Sequence, residues 1–159
     1  KDMQITNTQK LIISIISTVG LGSLGGIFTI AEIPTWYAGL NKPSFNPPNW
    51  IFGPMWTTLY VLMGISFYLI WKRPISLERS LAIRLFIIQF ILNFCWSILF
   101  FSMHQIGWAF AEIITMWVFI LLTIIQFRKL SPTAAALLIP YLLWVSFASI
   151  LNGSIWQLN

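Results

Sequence analysis

Five long apolar runs are the feature of this sequence that most constrains its fold. They lie at about residues 10–31, 51–71, 81–102, 107–127 and 133–156. A hydrocarbon core about 30 Å thick needs roughly 20 helical residues to cross, so each run is long enough to span a bilayer. Backbone groups in lipid must be satisfied within the segment. The runs therefore predict an all-α bundle of five transmembrane helices, with residues 1–159 forming a single domain.

The composition excludes the other broad classes. Only 8% of the residues are charged, against about a quarter in a soluble domain. The single Cys95 cannot form an intrachain disulfide, and no Cys/His cluster is present, so we expect no metal site and no cofactor. The net charge is +5, but nine basic residues are too few to follow a phosphate backbone, and we expect no nucleic-acid partner. What remains is a multi-pass membrane protein in contact with a lipid bilayer.

The distribution of the basic residues predicts an orientation. With five spans, the N-terminus and the second and fourth loops lie on one side of the membrane. That side carries eight of the nine Lys and Arg residues, and the other side carries only Lys42. The positive-inside rule then places the N-terminus in the cytoplasm and the first loop, at about 32–50, outside a bacterial cell membrane. The rule presumes an inner membrane, so the choice between inner and outer membrane stays open.

Motifs that carry catalysis in soluble enzymes are absent or misplaced. Residues 20–25 spell GxGxxG, but the glycines lie inside an apolar run, whereas a dinucleotide site needs a preceding strand and an aqueous helix N-terminus. Gly22 and Gly26 are instead typical of close helix contact, within the bundle or with a second subunit. We interpret His104, in a short loop, as a solvated or interfacial histidine. No hydrolytic set of side chains is visible.

Aromatic and polar side chains inside the runs share four helix faces. Polar groups are costly in lipid and usually point inward, and residues four or seven apart lie on one face of a helix. The faces are Trp56 and Tyr60; Gln89, Asn93, Trp96, Ser97 and Phe100; Trp108, Glu112 and Thr115; and Trp144, Ala148, Ser149 and Asn152. Interhelical hydrogen bonding would explain any one residue, but four such faces together predict a cavity with stacking walls.

The first loop is the most distinctive segment of the chain. Its prolines are Pro43, Pro47 and Pro48. They restrict the backbone and remove hydrogen-bond donors, so the loop can keep one shape at a membrane surface. Its aromatic residues give it an apolar underside. The segment is therefore predicted to be a lid over the bundle.

The motifs around this loop resemble those of the translocator proteins, also called tryptophan-rich sensory proteins or the TspO/MBR family. The chain reads W-Y-x-x-L-x-K-P-x-F-x-P-P from Trp36, and then F-x-P-x-W-x-x-L-Y up to Tyr60. The resemblance continues at 89–96, 107–109 and 140–148, so it covers essentially the whole chain. It implies the same five-helix bundle, usually as a homodimer, with a pocket under the first loop that binds porphyrins and benzodiazepine-type ligands.

The resemblance also implies the residues of the ligand pocket. They are Tyr37 and Pro47 of the lid, Phe52, Trp56, Asn93, Trp96, Trp108, Trp144, Ala148 and Leu151. Trp56 and Trp144 match the tryptophans implicated in the light-dependent porphyrin breakdown of some bacterial members, and no other catalytic residue is indicated. Gly153 and Gln157 stand where eukaryotic members carry the Tyr and the basic residue of a cholesterol motif. We therefore expect a bacterial member without a cholesterol partner.

These observations lead to one functional expectation and three alternatives. We expect a membrane-embedded sensor that binds a porphyrin such as protoporphyrin IX beneath the loop. The ligand would stack near Trp56, Trp96 and Trp144 and be oriented by Asn93. The alternatives are a transporter of porphyrins or other amphiphiles, a light-dependent porphyrin-degrading activity, and a purely structural dimer. The five spans show no inverted repeat and no pair of broken helices, which disfavours transport.

Overall fold

The computed structural model describes residues 4–159, which form helices joined by short connections. The helices are α1 (Asn7–Glu32), α2 (Phe52–Trp71), α3 (Leu77–Ser97), α4 (Ile106–Leu130), α5 (Pro132–Leu137) and α6 (Ile139–Leu158). Two 3₁₀ turns, Tyr37–Gly39 and Asn49–Ile51, precede α2, and a π-helical segment, Ile98–Ser102, extends α3. Helices α5 and α6 together make the fifth span. The described residues contain no strand, and five spans are long and apolar enough to cross a membrane, which confirms the predicted fold class.

The helices extend a few residues beyond the predicted apolar runs because their N-terminal caps lie in polar sequence. Thr6 accepts a hydrogen bond from the backbone of Gln9, whose side chain accepts one from the backbone of Thr6, so α1 begins at Asn7. Ser76 caps α3 in a similar way. Ser131 caps α5, where Pro132 occupies the first helical position.

The core of the bundle is packed and apolar, and its outer surface is apolar as well. Met63 of α2, Met116 of α4 and Val145 of α6 are fully buried in one cluster. On the outside, Ile16 and Leu143 are 66% and 65% exposed. Apolar side chains on both faces are the expected pattern when the solvent around the helices is the interior of a bilayer.

Helices α1 and α2 approach each other closely along half of their length. A Cβ atom at Gly64 would lie 2.7 Å from the Cα of Ile15, and one at Gly22 would lie 2.6 Å from the ring of Tyr60. Thr18 Oγ1 donates to the backbone oxygen of Tyr60 at 2.8 Å. The helix contact predicted at Gly22 is therefore made inside the bundle. Gly26 has no neighbour of this kind within the described chain.

The bundle has two chemically different ends. At the basic end α1 and α3 begin and α2 and α4 end, and Lys10 lies 5.7 Å from the ring centroid of Trp71. At the lid end the first loop meets the connection between α3 and α4. Among the described residues, Lys42 is the one Lys or Arg there. Lys1, which contributes to the predicted charge bias, lies outside the described residues.

Candidate functional site

A cavity of about 410 Å³ lies under the lid, between α1, α2, the end of α3 and α6. This volume is in the range typical of small-molecule sites. Seven of the ten predicted pocket residues line it: Tyr37, Phe52, Trp56, Trp96, Trp144, Ala148 and Leu151. The structure thus brings most of the predicted set together in one place, and their contact with a ligand stays a prediction.

The walls of the cavity are built from aromatic rings that hold one another in position. Trp56 and Trp144 meet edge to face, with centroids 6.4 Å apart and an interplanar angle of 86°. Trp56 also stacks on Tyr60 at 5.7 Å, and Trp96 stacks on Phe100 at 5.3 Å. Each such contact is worth about 0.5–1.5 kcal/mol beyond burial. The rings therefore offer a flat ligand preformed surfaces.

The π-helical segment explains how two adjacent residues, Phe100 and Phe101, both line the cavity. Met103 N donates to Ile98 O at 2.8 Å, five residues earlier, which widens the turn. A wider turn brings consecutive side chains closer to one face, and such segments are frequent at functional sites. Phe100 and Phe101 are 2% and 7% exposed.

The polar side chains of Trp96 and Asn152 in the cavity wall are hydrogen-bonded within the protein. Trp96 Nε1 donates to Asn152 Oδ1 at 3.0 Å, and Asn152 Nδ2 donates to the backbone oxygen of Ile106. Trp144 Nε1 is buried behind the wall and has no hydrogen-bond partner among the described residues. Trp96 and Trp144 therefore offer the cavity their ring surfaces rather than free hydrogen-bond donors.

Asn93 lies beneath the cavity rather than in its wall. Tyr60 Oη donates to Asn93 Oδ1 at 3.1 Å, and Asn93 Nδ2 donates to Tyr141 Oη at 2.9 Å. Tyr141 Oη donates in turn to Gln89 Oε1. The sequence predicted that Asn93 orients a ligand directly, but its side chain does not line the cavity. It instead holds Tyr60, whose ring forms the floor of the cavity.

Trp108 and Pro47 also lie outside the cavity wall. Trp108 is 71% exposed on the outer face of α4. Helix α4 turns Ala109 and Met116 toward its neighbours, so Trp108 and Thr115 of the predicted face point away from the bundle. Glu112, the third residue of that face, is half-buried, with both carboxyl oxygens buried, and it does not line the cavity either. Pro47 is half-buried within the lid but does not reach the cavity. The cavity is therefore formed from three of the four predicted faces.

Sequence reasoning missed the contribution of α1. Its lining residues are Gly22, Ser23, Gly26, Thr29 and Ile30, followed by Ile33 just after the helix ends. The signal that could have identified them is the placement of small or hydroxyl side chains at 22, 26 and 29, which share one helix face. Small residues were interpreted as a helix contact alone, although they can equally border a space.

Tyr37 anchors the lid from inside. Its side chain is 2% exposed and lines the cavity, and its hydroxyl donates to Asn46 Oδ1 at 2.7 Å. Lys42 Nζ donates to the backbone oxygen of Tyr37 at 2.8 Å and lies 4.9 Å from its ring centroid. Burial raises the pKa of Tyr37 to about 12, so the hydroxyl remains a donor at any physiological pH.

Two further contacts hold the lid from outside. Asn159 Nδ2 donates to the backbone oxygen of Asn41 at 2.8 Å, and the backbone nitrogen of Asn41 donates to Asn159 Oδ1. His104 Nε2 lies 3.0 Å from Glu32 Oε2, and its ring stacks on Trp36 at 4.1 Å. His104 is 41% exposed in its side chain, in line with the predicted solvated histidine, and it also links the lid to the connection between α3 and α4.

The fold and the cavity together define a multi-pass helical membrane protein with an aromatic, ligand-sized cavity at one end. The sequence model of the TspO/MBR family matches residues 13–157, and the chain belongs to this family.

Relatives from different kingdoms share this similarity over most of their length. The chain is 43% identical to the tryptophan-rich protein TspO of Archaeoglobus fulgidus over 153 residues, which are 96% of this chain and 99% of that protein. It is 43% identical to the translocator protein of Ovis aries over 140 residues, or 87% and 83% of the two chains. It is also 38% identical to the tryptophan-rich sensory protein of Cereibacter sphaeroides over 125 residues, or 78% and 77%.

Proposed function

We propose that this protein binds a porphyrin or a similarly flat aromatic ligand in the cavity under the lid and serves as a membrane-embedded sensor of it. The observation that carries the proposal is the arrangement of Trp56, Trp96 and Trp144 around one cavity of about 410 Å³. Large aromatic faces in an apolar site favour a planar conjugated ligand, because stacking adds to the burial of its surface.

The packing below the cavity supports binding over transport. The floor is formed by Tyr60, held through Asn93 to Tyr141, which is 1% exposed. Beneath the floor the bundle is filled by the fully buried Met63 and Met116. Passage of a porphyrin to the basic end would require this core to separate. Flux of protoporphyrin IX across sealed vesicles, dependent on the protein, would contradict binding without transport.

We place the protein in a bacterial cell membrane with the basic end in the cytoplasm and the lid outside, as a homodimer. The charge difference between the two ends supports the orientation. In a Cys95→Ala background, a membrane-impermeant thiol reagent added to whole cells should label Lys42→Cys and leave Lys72→Cys unlabelled. The reverse pattern would overturn the orientation, and a monomeric mass in nanodiscs would overturn the dimer.

The proposed function is tested by titrating protoporphyrin IX into the purified protein in the dark while following tryptophan fluorescence. We expect saturable, stoichiometric quenching that weakens in the Trp56→Phe/Trp144→Phe double variant. The matched control is Trp108→Phe/Trp156→Phe, which removes two exposed tryptophans outside the cavity. Its affinity should equal that of the unmodified protein.

Two results would contradict the proposal. Non-saturating quenching, equal in all three proteins, would show that porphyrin only partitions into the detergent micelle. Saturable quenching that is unaffected in the cavity variant would place the ligand elsewhere.

A separate measurement under illumination distinguishes sensing from a degrading activity. Loss of more than one porphyrin per protein would favour a degrading activity over sensing.

A further inference from the structure

The wall of the cavity is asymmetric. On the side of α3 and α6 the lining residues are buried, as Phe100 at 2% and Leu151 at 6% show. On the side of α1 and α2 the lining includes residues that also face outward: Ile30 of α1 is 74% exposed, and Thr57 of α2 is exposed as well. A residue that borders the cavity and the outer surface at once marks an opening. The cavity therefore opens sideways, between α1 and α2.

The two helices diverge toward the lid end. They are in contact at Gly64 and at Gly22, where an added Cβ would meet the neighbouring helix at 2.7 Å and 2.6 Å. Nearer the lid, a Cβ at Gly26 or at Gly53 would meet no atom within 4 Å, although both glycines line the cavity. We call the space between α1 and α2 at these two glycines the side gap.

The side gap lies within the first span rather than above it. Gly26 is six residues before the end of α1 at Glu32, which places it about 9 Å inside the helix end at 1.5 Å per residue. At that depth the gap faces acyl chains. A polar solute in water would not meet it, whereas an amphiphile dissolved in the bilayer would.

The alternative entrance, through the lid, is closed by specific contacts. Tyr37 and Asn46 are hydrogen-bonded within the lid, and Asn41 and Asn159 join it to the end of α6. The connection before α4 adds the contact of His104 with Glu32. Entry from water would have to break several of these contacts, whereas entry through the side gap breaks none.

We propose that the ligand enters the cavity from the lipid, through the side gap, and that Gly26 and Gly53 keep this route open. The inference deepens the proposed function and rests on it. It specifies the ligand class as a flat amphiphile that has already partitioned into the membrane, with its polar edge toward the lid end. The lid then serves as a permanent wall of the site.

The test measures the rates of association and dissociation of protoporphyrin IX in lipid nanodiscs, by stopped-flow tryptophan quenching in the dark. Gly26→Leu should slow both rates about tenfold, which corresponds to an increase of about 1.4 kcal/mol in the activation barrier. Both rates change because the ligand crosses the same narrowed passage when it enters and when it leaves. Gly20→Leu is the matched control, since Gly20 lies exposed on the same helix, has no atom within 4 Å and is outside the cavity. Its rates should not change.

Two additional variants make the outcome decisive. Gly53→Leu narrows the side gap from α2 and should slow both rates in the same way. This variant keeps the test valid if Gly26→Leu folds poorly. Asn159→Ala removes the contact between α6 and the lid, and it should leave both rates unchanged.

The contrary results are distinct. Faster dissociation with unchanged association in both leucine variants would mean that these side chains only crowd the bound ligand, and it would overturn the route. Faster association in Asn159→Ala, without an effect of Gly26→Leu, would make the lid the entrance. Absence of saturable binding in the unmodified protein would refute the proposed function itself, and the route with it.

Discussion

Asn93 shows how one buried amide can support a cavity without lining it. It accepts from Tyr60 and donates to Tyr141, so it fixes the ring that forms the cavity floor. The sequence predicted that Asn93 points into the bundle, and at 5% exposure it does. What it bonds to could not be predicted, because its partners lie 33 and 48 residues away and depend on how three helices pack.

Replacement of Asn93 should therefore destabilise the fold as well as the site. Asn93→Leu leaves the hydroxyl of Tyr60 without its acceptor, which should lower the free energy of unfolding by about 2 kcal/mol. Thermal unfolding in detergent measures this loss. Thr58→Ala is the control, since Thr58 is exposed and bonds only within its own helix. Equal melting temperatures in the two variants would contradict the role assigned to Asn93.

The raised pKa of Tyr37 makes closure of the lid sensitive to strongly alkaline pH. The buried ring has a pKa of about 12 against 10.0 when exposed. The closed lid thus favours the neutral phenol: this stabilisation is complete below pH 10 and is lost as the pH rises toward 12. The difference in tyrosinate absorbance between the unmodified protein and Tyr37→Phe should show one group titrating near 12. A midpoint near 10 would mean that the lid is open in solution.

At the scale of the element, the positions of the helices along the chain could be predicted better than the rotation of each helix about its own axis. Apolar runs of about 20 residues define spans irrespective of how they pack. Spacing showed that Trp108 and Thr115 share a face, but it could not show that this face points outward, because that depends on which side of α4 packs on its neighbours. The missed wall formed by α1 has the same cause. Gly22 and Gly26 both line the cavity, but only Gly22 is also in close contact with α2, and the sequence does not distinguish the two glycines.

The contact between α1 and α2 gives a prediction at this scale. Gly64→Ala should destabilise the protein by about 1–3 kcal/mol, because its Cβ would press on the backbone of Ile15. Gly20→Ala, on an open face of α1, should be neutral or stabilise it by up to about 1 kcal/mol through helix propensity. Thermal unfolding of the two alanine variants tests this. Shifts of the same sign and size would contradict the close contact.

At the scale of the whole molecule, the structure combines a packed half and a hollow half. Toward the basic end the five spans bury a continuous core, and toward the lid end α1, α2, the end of α3 and α6 surround the cavity. The fold class followed from span length and composition. The location of the site followed from the resemblance of the loop and its flanking motifs. The side gap could not be predicted, because it arises from the divergence of two helices and leaves no mark in hydropathy.

Binding of a porphyrin between the aromatic walls under the lid is the proposal on which the function of this protein depends. The most direct measurement is a crystal structure of the protein grown in lipid with protoporphyrin IX in the dark. We expect a planar ligand between Trp56, Trp96 and Trp144. Porphyrin bound on the lipid-facing surface, for example against Trp108, with the cavity free of it, would contradict the account.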